Sequence, residues 1–163
     1  MSQSPSKLRQ VVDWSAVFWA GLISGTVFLL LNIGLSIITD GSPWEMSRYT
    51  AATVMGGDVL LETWFSLVPF LVGLGIHLVL SLVFAALIAI VIHRWGLIVG
   101  IVGGALFGLA FYAINFFTVS TMFDFTWFYL LRNPVMALSH IIFGALAGGI
   151  YEALEVEEFV PAD

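Results

Sequence analysis

The sequence predicts an all-α membrane protein: four transmembrane helices arranged as two parallel two-helix repeats, with a short interfacial helix between helices 1 and 2. Three observations carry this reading. Of 163 residues, 60 % are hydrophobic and only 10 % charged, against about 25 % charged in a water-soluble domain, and the mean hydropathy is +1.04. The charges leave four long uncharged runs, Trp14 to Thr39, Thr63 to His93, Trp95 to Phe123 and Asn133 to Tyr151. Each can cross a hydrocarbon core of about 30 Å at roughly 1.5 Å per helical residue. Lastly, rare residues recur at constant spacing. Gly21, Gly25, Phe28 and Asn32 match Gly104, Gly108, Phe111 and Asn115, each pair 83 positions apart; Trp64, Phe65, Leu67 and His77 match Trp127, Phe128, Leu130 and His140, each 63 apart. Two constant offsets fit a duplicated two-helix unit whose first copy holds about 20 extra residues in its connecting loop.

Helix 1 is expected over about 14–39. The preceding tail carries Lys7 and Arg9 like a signal peptide, but the apolar run is too long for a signal h-region and bears the Gly and Asn of the repeat. Ser42-Pro43-Trp44-Glu45 then has the form of a capping box with Pro at the first helical position, and Gly56-Gly57 supplies a stop. A surface helix over about 43–55 follows, and its Trp44, Met46, Tyr49 and Val54 suit the headgroup zone on the outer face. Helix 2 runs over about 64–93, with Pro69 near its start. His93-Arg94-Trp95-Gly96 forms a tight turn, making helices 2 and 3 antiparallel neighbours. Helix 3 covers about 96–121, an aromatic stretch spans Met122 to Trp127, and helix 4 covers about 128–152 with Pro134 near its start. An acidic tail, 152–163, completes a single membrane domain over 1–163.

Lipid tails give helices little hydrophobic reason to associate, so small residues that admit close backbone approach supply much of the packing. Gly21/Gly25, Gly100/Gly104/Gly108 and Gly144/Gly148 have that spacing, and helix 2 offers Ser81/Ala85/Ala89. A Gly face left unpaired would dock against another protein. Lys7, Arg9 and Arg94 on one side against Arg48 and Arg132 on the other place both termini in the cytoplasm. The net charge of −6 argues against nucleic acid and anionic headgroups as partners of the tail, whose Glu152, Glu155, Glu157, Glu158 and Asp163 carry much of it. Cysteine is absent, which removes disulfides and thiolate metal sites.

Because each repeat has two spans, both copies enter the bilayer in the same orientation and equivalent residues share a depth. Asn32, His77, Asn115 and His140 therefore form one expected polar centre. Polar side chains at that depth are costly and face the bundle interior or a cavity. One reading is purely structural, with the four groups hydrogen-bonding between helices. A second is a haem b with His77 and His140 as axial ligands, beside the small Ser81 and Gly144. A third is a small channel or transporter, since imidazole titrates near physiological pH. At the outer mouth, Asp124, Arg132 and Asn133 are candidates for an ion pair or an anionic-ligand site. No Ser-His-Asp set, phosphate loop or hydrolytic metal spacing occurs, so no catalytic residue, no metal site and no enzymatic activity are expected.

The stretch His77-Leu78-Val79-Leu80-Ser81-Leu82-Val83-Phe84-Ala85, then Phe123-Asp124 with Trp127 and His140 ahead of an apolar run, resembles the YagU-like bacterial inner-membrane proteins. The resemblance implies a polytopic inner-membrane protein and supplies no catalytic residue. The leading expectation is a non-enzymatic accessory or assembly subunit of a larger bacterial inner-membrane complex, contacting membrane lipids and partner membrane subunits, without a cofactor. The alternatives are a haem b electron carrier and a small channel or transporter.

Overall fold

A computed structural model describes residues 6–9, 12–39, 42–62, 64–156 and 158–161. Four of its helices are long and apolar enough to cross a membrane: α1 (Trp14–Thr39), α3 (Leu67–Ile92), α4 (Leu97–Met122) and α5 (Pro134–Leu154). The shorter α2 (Glu45–Met55) lies between the first two. Outside the spans, β1 (Ser6–Arg9) and β2 (Glu158–Pro161) pair antiparallel, with Arg9 opposite Glu158, so both ends of the chain lie at one end of the bundle. We call it the terminal end, and the other the loop end. Glu157 and Asp163 of the expected acidic tail lie outside the described residues.

Local chemistry sets the helix ends. Asp13 Oδ1 accepts the Ser15 and Ala16 N–H groups at 2.9 and 3.1 Å and so caps α1. At α2 the expected capping box does not form: the helix begins at Glu45, Trp44 is its N-cap without a side-chain bond, and the Glu45 carboxylate lies 3.6 Å from Arg48 instead. Gly56, at φ 90°, adopts the left-handed geometry that ends α2. α3 begins at Leu67 rather than at 64. α5 begins at Pro134 rather than at 128, because a residue before proline is pushed to extended backbone, and Asn133 is so held at φ −137°, ψ 159°. Residues Thr126–Leu131 form a 3-10 turn, so positions 128 to 131, expected as the start of helix 4, lie outside it. In α4, Ile114–Val119 widens into a π-helix, which the sequence pattern did not signal.

α5 packs against α4 and α1, α1 also packs against α3, and α2 lies on α3. The glycines explain how closely. A methyl group on Gly104 would overlap the Gly144 carbonyl, one on Gly108 the His140 carbonyl, and one on Gly148 the Gly100 carbonyl. At such range the helices are held by dispersion and weak Cα–H···O contacts that a side chain would abolish. On the other pair, Gly21 meets Leu82 and Ala85, and Gly25 meets Ser81. These contacts repeat: Gly21–Ala85 becomes Gly104–Gly148, and Gly25–Ser81 becomes Gly108–Gly144, under the same offsets of 83 and 63. Each of these Gly faces packs against another helix of the same chain.

Candidate functional site

A cavity of about 510 Å³ lies between α1, α3, the π segment of α4 and α5, beneath α2. Its floor is aromatic: Phe84 stacks on Phe111 at 4.1 Å, and Phe28 meets Phe143 edge-on at 5.9 Å. Below these rings, toward the terminal end, Ala85, Ile88, Ile92 and Ala147 pack in one apolar cluster. Asn32, His77, Asn115 and His140, picked out by the duplicated pattern, all line this one cavity.

The hydrogen bonds fix what each of them presents. Asn32 Nδ2 donates to Phe28 O at 2.8 Å; Oδ1 has no partner, although the residue is only 2 % exposed. A backbone carbonyl can only accept, so the His77 Nε2 at 2.9 Å from Gly25 O carries that ring's proton, and Nδ1 remains an acceptor. By the same logic His140 Nδ1 donates to Met136 O at 2.9 Å and its Nε2 is the acceptor. These bonds run along or between neighbouring helices; the four polar groups do not bond to one another. The Phe28 ring packs against both imidazoles, at 5.7 Å from His77 and 4.8 Å from His140. A haem ligated by both would have to displace that ring and break the His77 bond to Gly25, so the residues present do not fit a bis-histidine haem. Among the described residues no group of three His, Asp or Glu is placed to hold a metal ion.

α2 roofs the cavity and packs on α3. At Gly73 of α3 the Ser47 backbone comes so close that a methyl group would overlap its carbonyl. Met46 and Tyr49, expected among headgroups, instead pack against the Tyr112, Phe116, Leu131 and Met136 cluster; Val54, at 68 %, stays exposed. Arg48 is only 4 % exposed. Burying a charge demands full pairing, and its guanidinium bonds the carbonyls of Glu62 and Trp64, the latter at 2.9 Å, beside the Glu45 carboxylate. This ties α2 to the chain entering α3.

Asp124, Arg132 and Asn133 do three separate jobs, which corrects the expected ion pair. Arg132 Nε donates to Phe116 O at 2.6 Å, Nη2 reaches the Ser120 and Thr121 hydroxyls at 3.1 and 3.2 Å, and the guanidinium stacks over Tyr129 at 3.9 Å. It thereby satisfies a carbonyl in the π segment. Asp124 is exposed and holds a turn at φ 55°. Asn133 Oδ1 caps α5 by accepting Met136 N–H at 2.9 Å. Part of the acidic tail is likewise structural. Glu152 Oε2 accepts Gly96 N–H at 2.8 Å and Glu155 Oε2 accepts Arg94 N–H at 3.0 Å, holding the turn into α4.

The sequence reading missed Gly73, Ser47, Thr50 and the wedge role of Phe28. An isolated glycine inside a helical pattern was the available signal for Gly73. Comparison with family models, curated proteins and solved structures finds no match for this chain.

Proposed function

We propose that this chain is a non-enzymatic, four-span membrane protein that takes a small apolar molecule from the bilayer into the cavity beneath α2. One observation carries the reading: the cavity reaches the perimeter of the bundle between α3 and the π segment, where its lining residues Leu80 and Ile114 are 40 % and 48 % exposed. Both belong to membrane-spanning helices, so this side faces lipid. The volume suits a small ligand, for which pockets of about 300–1,000 Å³ are usual. No charged residue lines it. The aromatic floor and the apolar cluster below it speak against the channel reading.

In this proposal the fold arose by duplication of a two-helix unit, supported by the equivalent contacts Gly21–Ala85 and Gly104–Gly148, and α2 is the insertion that closes the first copy. The same proposal takes the chain as a bacterial inner-membrane protein with its terminal end in the cytoplasm, an orientation supported by Lys7, Arg9 and Arg94 on that side. An accessory-subunit role would now rest on the apolar outer faces alone, and lipid covers those equally well. The test is native mass spectrometry of the protein released from lipid nanodiscs. Wild type carries a non-covalent apolar adduct, or takes up added 4-octylanisole, and Asn115→Trp, which fills the cavity from the π segment, does neither. A wild type that takes up nothing overturns the proposal.

A further inference from the structure

Resting on that reading, we infer that the cavity selects a neutral ligand whose head donates a hydrogen bond, an apolar alcohol or phenol, over an ether, ketone or carboxylate of the same shape. Much of the donor capacity of the lining is already engaged within the protein, leaving the second Asn32 N–H, Asn115 and Ser47. Asn32 donates to Phe28 O, His77 to Gly25 O and His140 to Met136 O. The hydroxyls of Thr50, Thr53 and Ser81 donate to Met46 O, Thr50 O and His77 O at 2.9, 2.7 and 2.8 Å. Lone pairs are left at His77 Nδ1 and His140 Nε2; Asn32 Oδ1 also lacks a partner but has almost no accessible surface, so the imidazoles are the acceptors a ligand meets. Buried acceptors in a low-dielectric site are costly until a donor meets them. Asn115 and Ser47 add donor capacity at the open side and the roof, enough for a hydroxyl that both gives and receives. An ionised head finds no counter-charge among the lining residues, and a carboxylate has no hydrogen to give the two imidazole acceptors.

Two probes that share the octylphenyl body and differ only in O–H against O–CH3 test the donor: 4-octylphenol and its methyl ether, 4-octylanisole, in phosphatidylcholine nanodiscs with ¹⁵N-histidine-labelled protein, the extra methyl of the ether working against the expected preference. The phenol is expected to bind about tenfold more tightly, the worth of one hydrogen bond near the upper end of its usual net contribution. The unprotonated His140 Nε2 resonance moves upfield with the phenol and stays in place with the ether. His140→Phe, which keeps the ring and removes the acceptor, brings the two affinities together; should that variant not fold, the wild-type spectrum still decides. Equal affinities overturn the donor inference and leave the cavity proposal standing. A tighter phenol with an unmoved His140 resonance overturns the assignment of the acceptors. No uptake of either probe overturns both readings.

Discussion

Gly73 and Gly75 lie two residues apart on α3, and alanine at each should have opposite effects. At Gly75 an added methyl meets nothing within 4 Å, so Gly75→Ala gains helix propensity of up to about 1 kcal/mol. At Gly73 the same methyl meets the backbone of Ser47, which cannot rotate aside as a side-chain tip can. Overpacking of this kind costs typically about 1–3 kcal/mol, and a rigid backbone obstacle puts the cost near the top of that range. Offset by the same propensity gain, Gly73→Ala is left about 2 kcal/mol less stable than wild type. The two variants then differ by about 3 kcal/mol, or more than about a hundredfold in the unfolding equilibrium. Steric trapping in bicelles measures that equilibrium. Hydrogen exchange at Ala51 and Ala52, buried against α3, reports whether α2 has lifted. Gly73→Ala as stable as Gly75→Ala, with unchanged exchange in α2, would refute the docking of α2 through Gly73.

Three further outcomes follow from the contacts described. Asn133→Ala removes the cap of α5 and lowers stability by about 1 kcal/mol in the same trapping assay, with faster exchange at Met136 N–H. Arg132→Lys keeps the charge but cannot bond Phe116 O, reach two hydroxyls and stack on Tyr129 at once; it costs about 1–2 kcal/mol, whereas Asp124→Asn changes stability by less than about 0.5 kcal/mol. Equal effects of the two would restore the ion pair that the structure lacks. Protein purified from haem-supplemented cells shows no Soret band, because Phe28 holds the space between the imidazoles; a band lost in both His77→Ala and His140→Ala would contradict this.

Hydropathy alone locates the four spans, since the transfer cost of a charge confines Asp13, Glu62, Arg94 and Glu155 to their ends. The limits of α1 read directly from Trp14 to Thr39. The duplicated pattern goes further and picks four residues that line one cavity, because polar groups in hydrocarbon have few places to face. Where the sequence misleads, two local tendencies compete. Ser42-Pro43-Trp44-Glu45 has capping-box chemistry, yet the buried Arg48 draws the Glu45 carboxylate to its side. Trp44, Met46 and Tyr49 look interfacial by composition, but the close approach at Gly73 turns Met46 and Tyr49 inward. Arg132 and Asp124 are opposite charges in the same loop, and no charge pattern reveals that a π segment would leave Phe116 O in need of a donor. The imidazole tautomers, from which the character of the cavity follows, depend on carbonyls of Gly25 and Met136 that no side-chain pattern can show.

The most direct test of a membrane-facing binding cavity is the uptake isotherm of 4-octylanisole from nanodiscs at fixed lipid, measured for wild type and Asn115→Trp. Saturation at one molecule per chain in the wild type, with only linear partitioning into lipid for the variant, is the predicted result. Linear partitioning in both would contradict it.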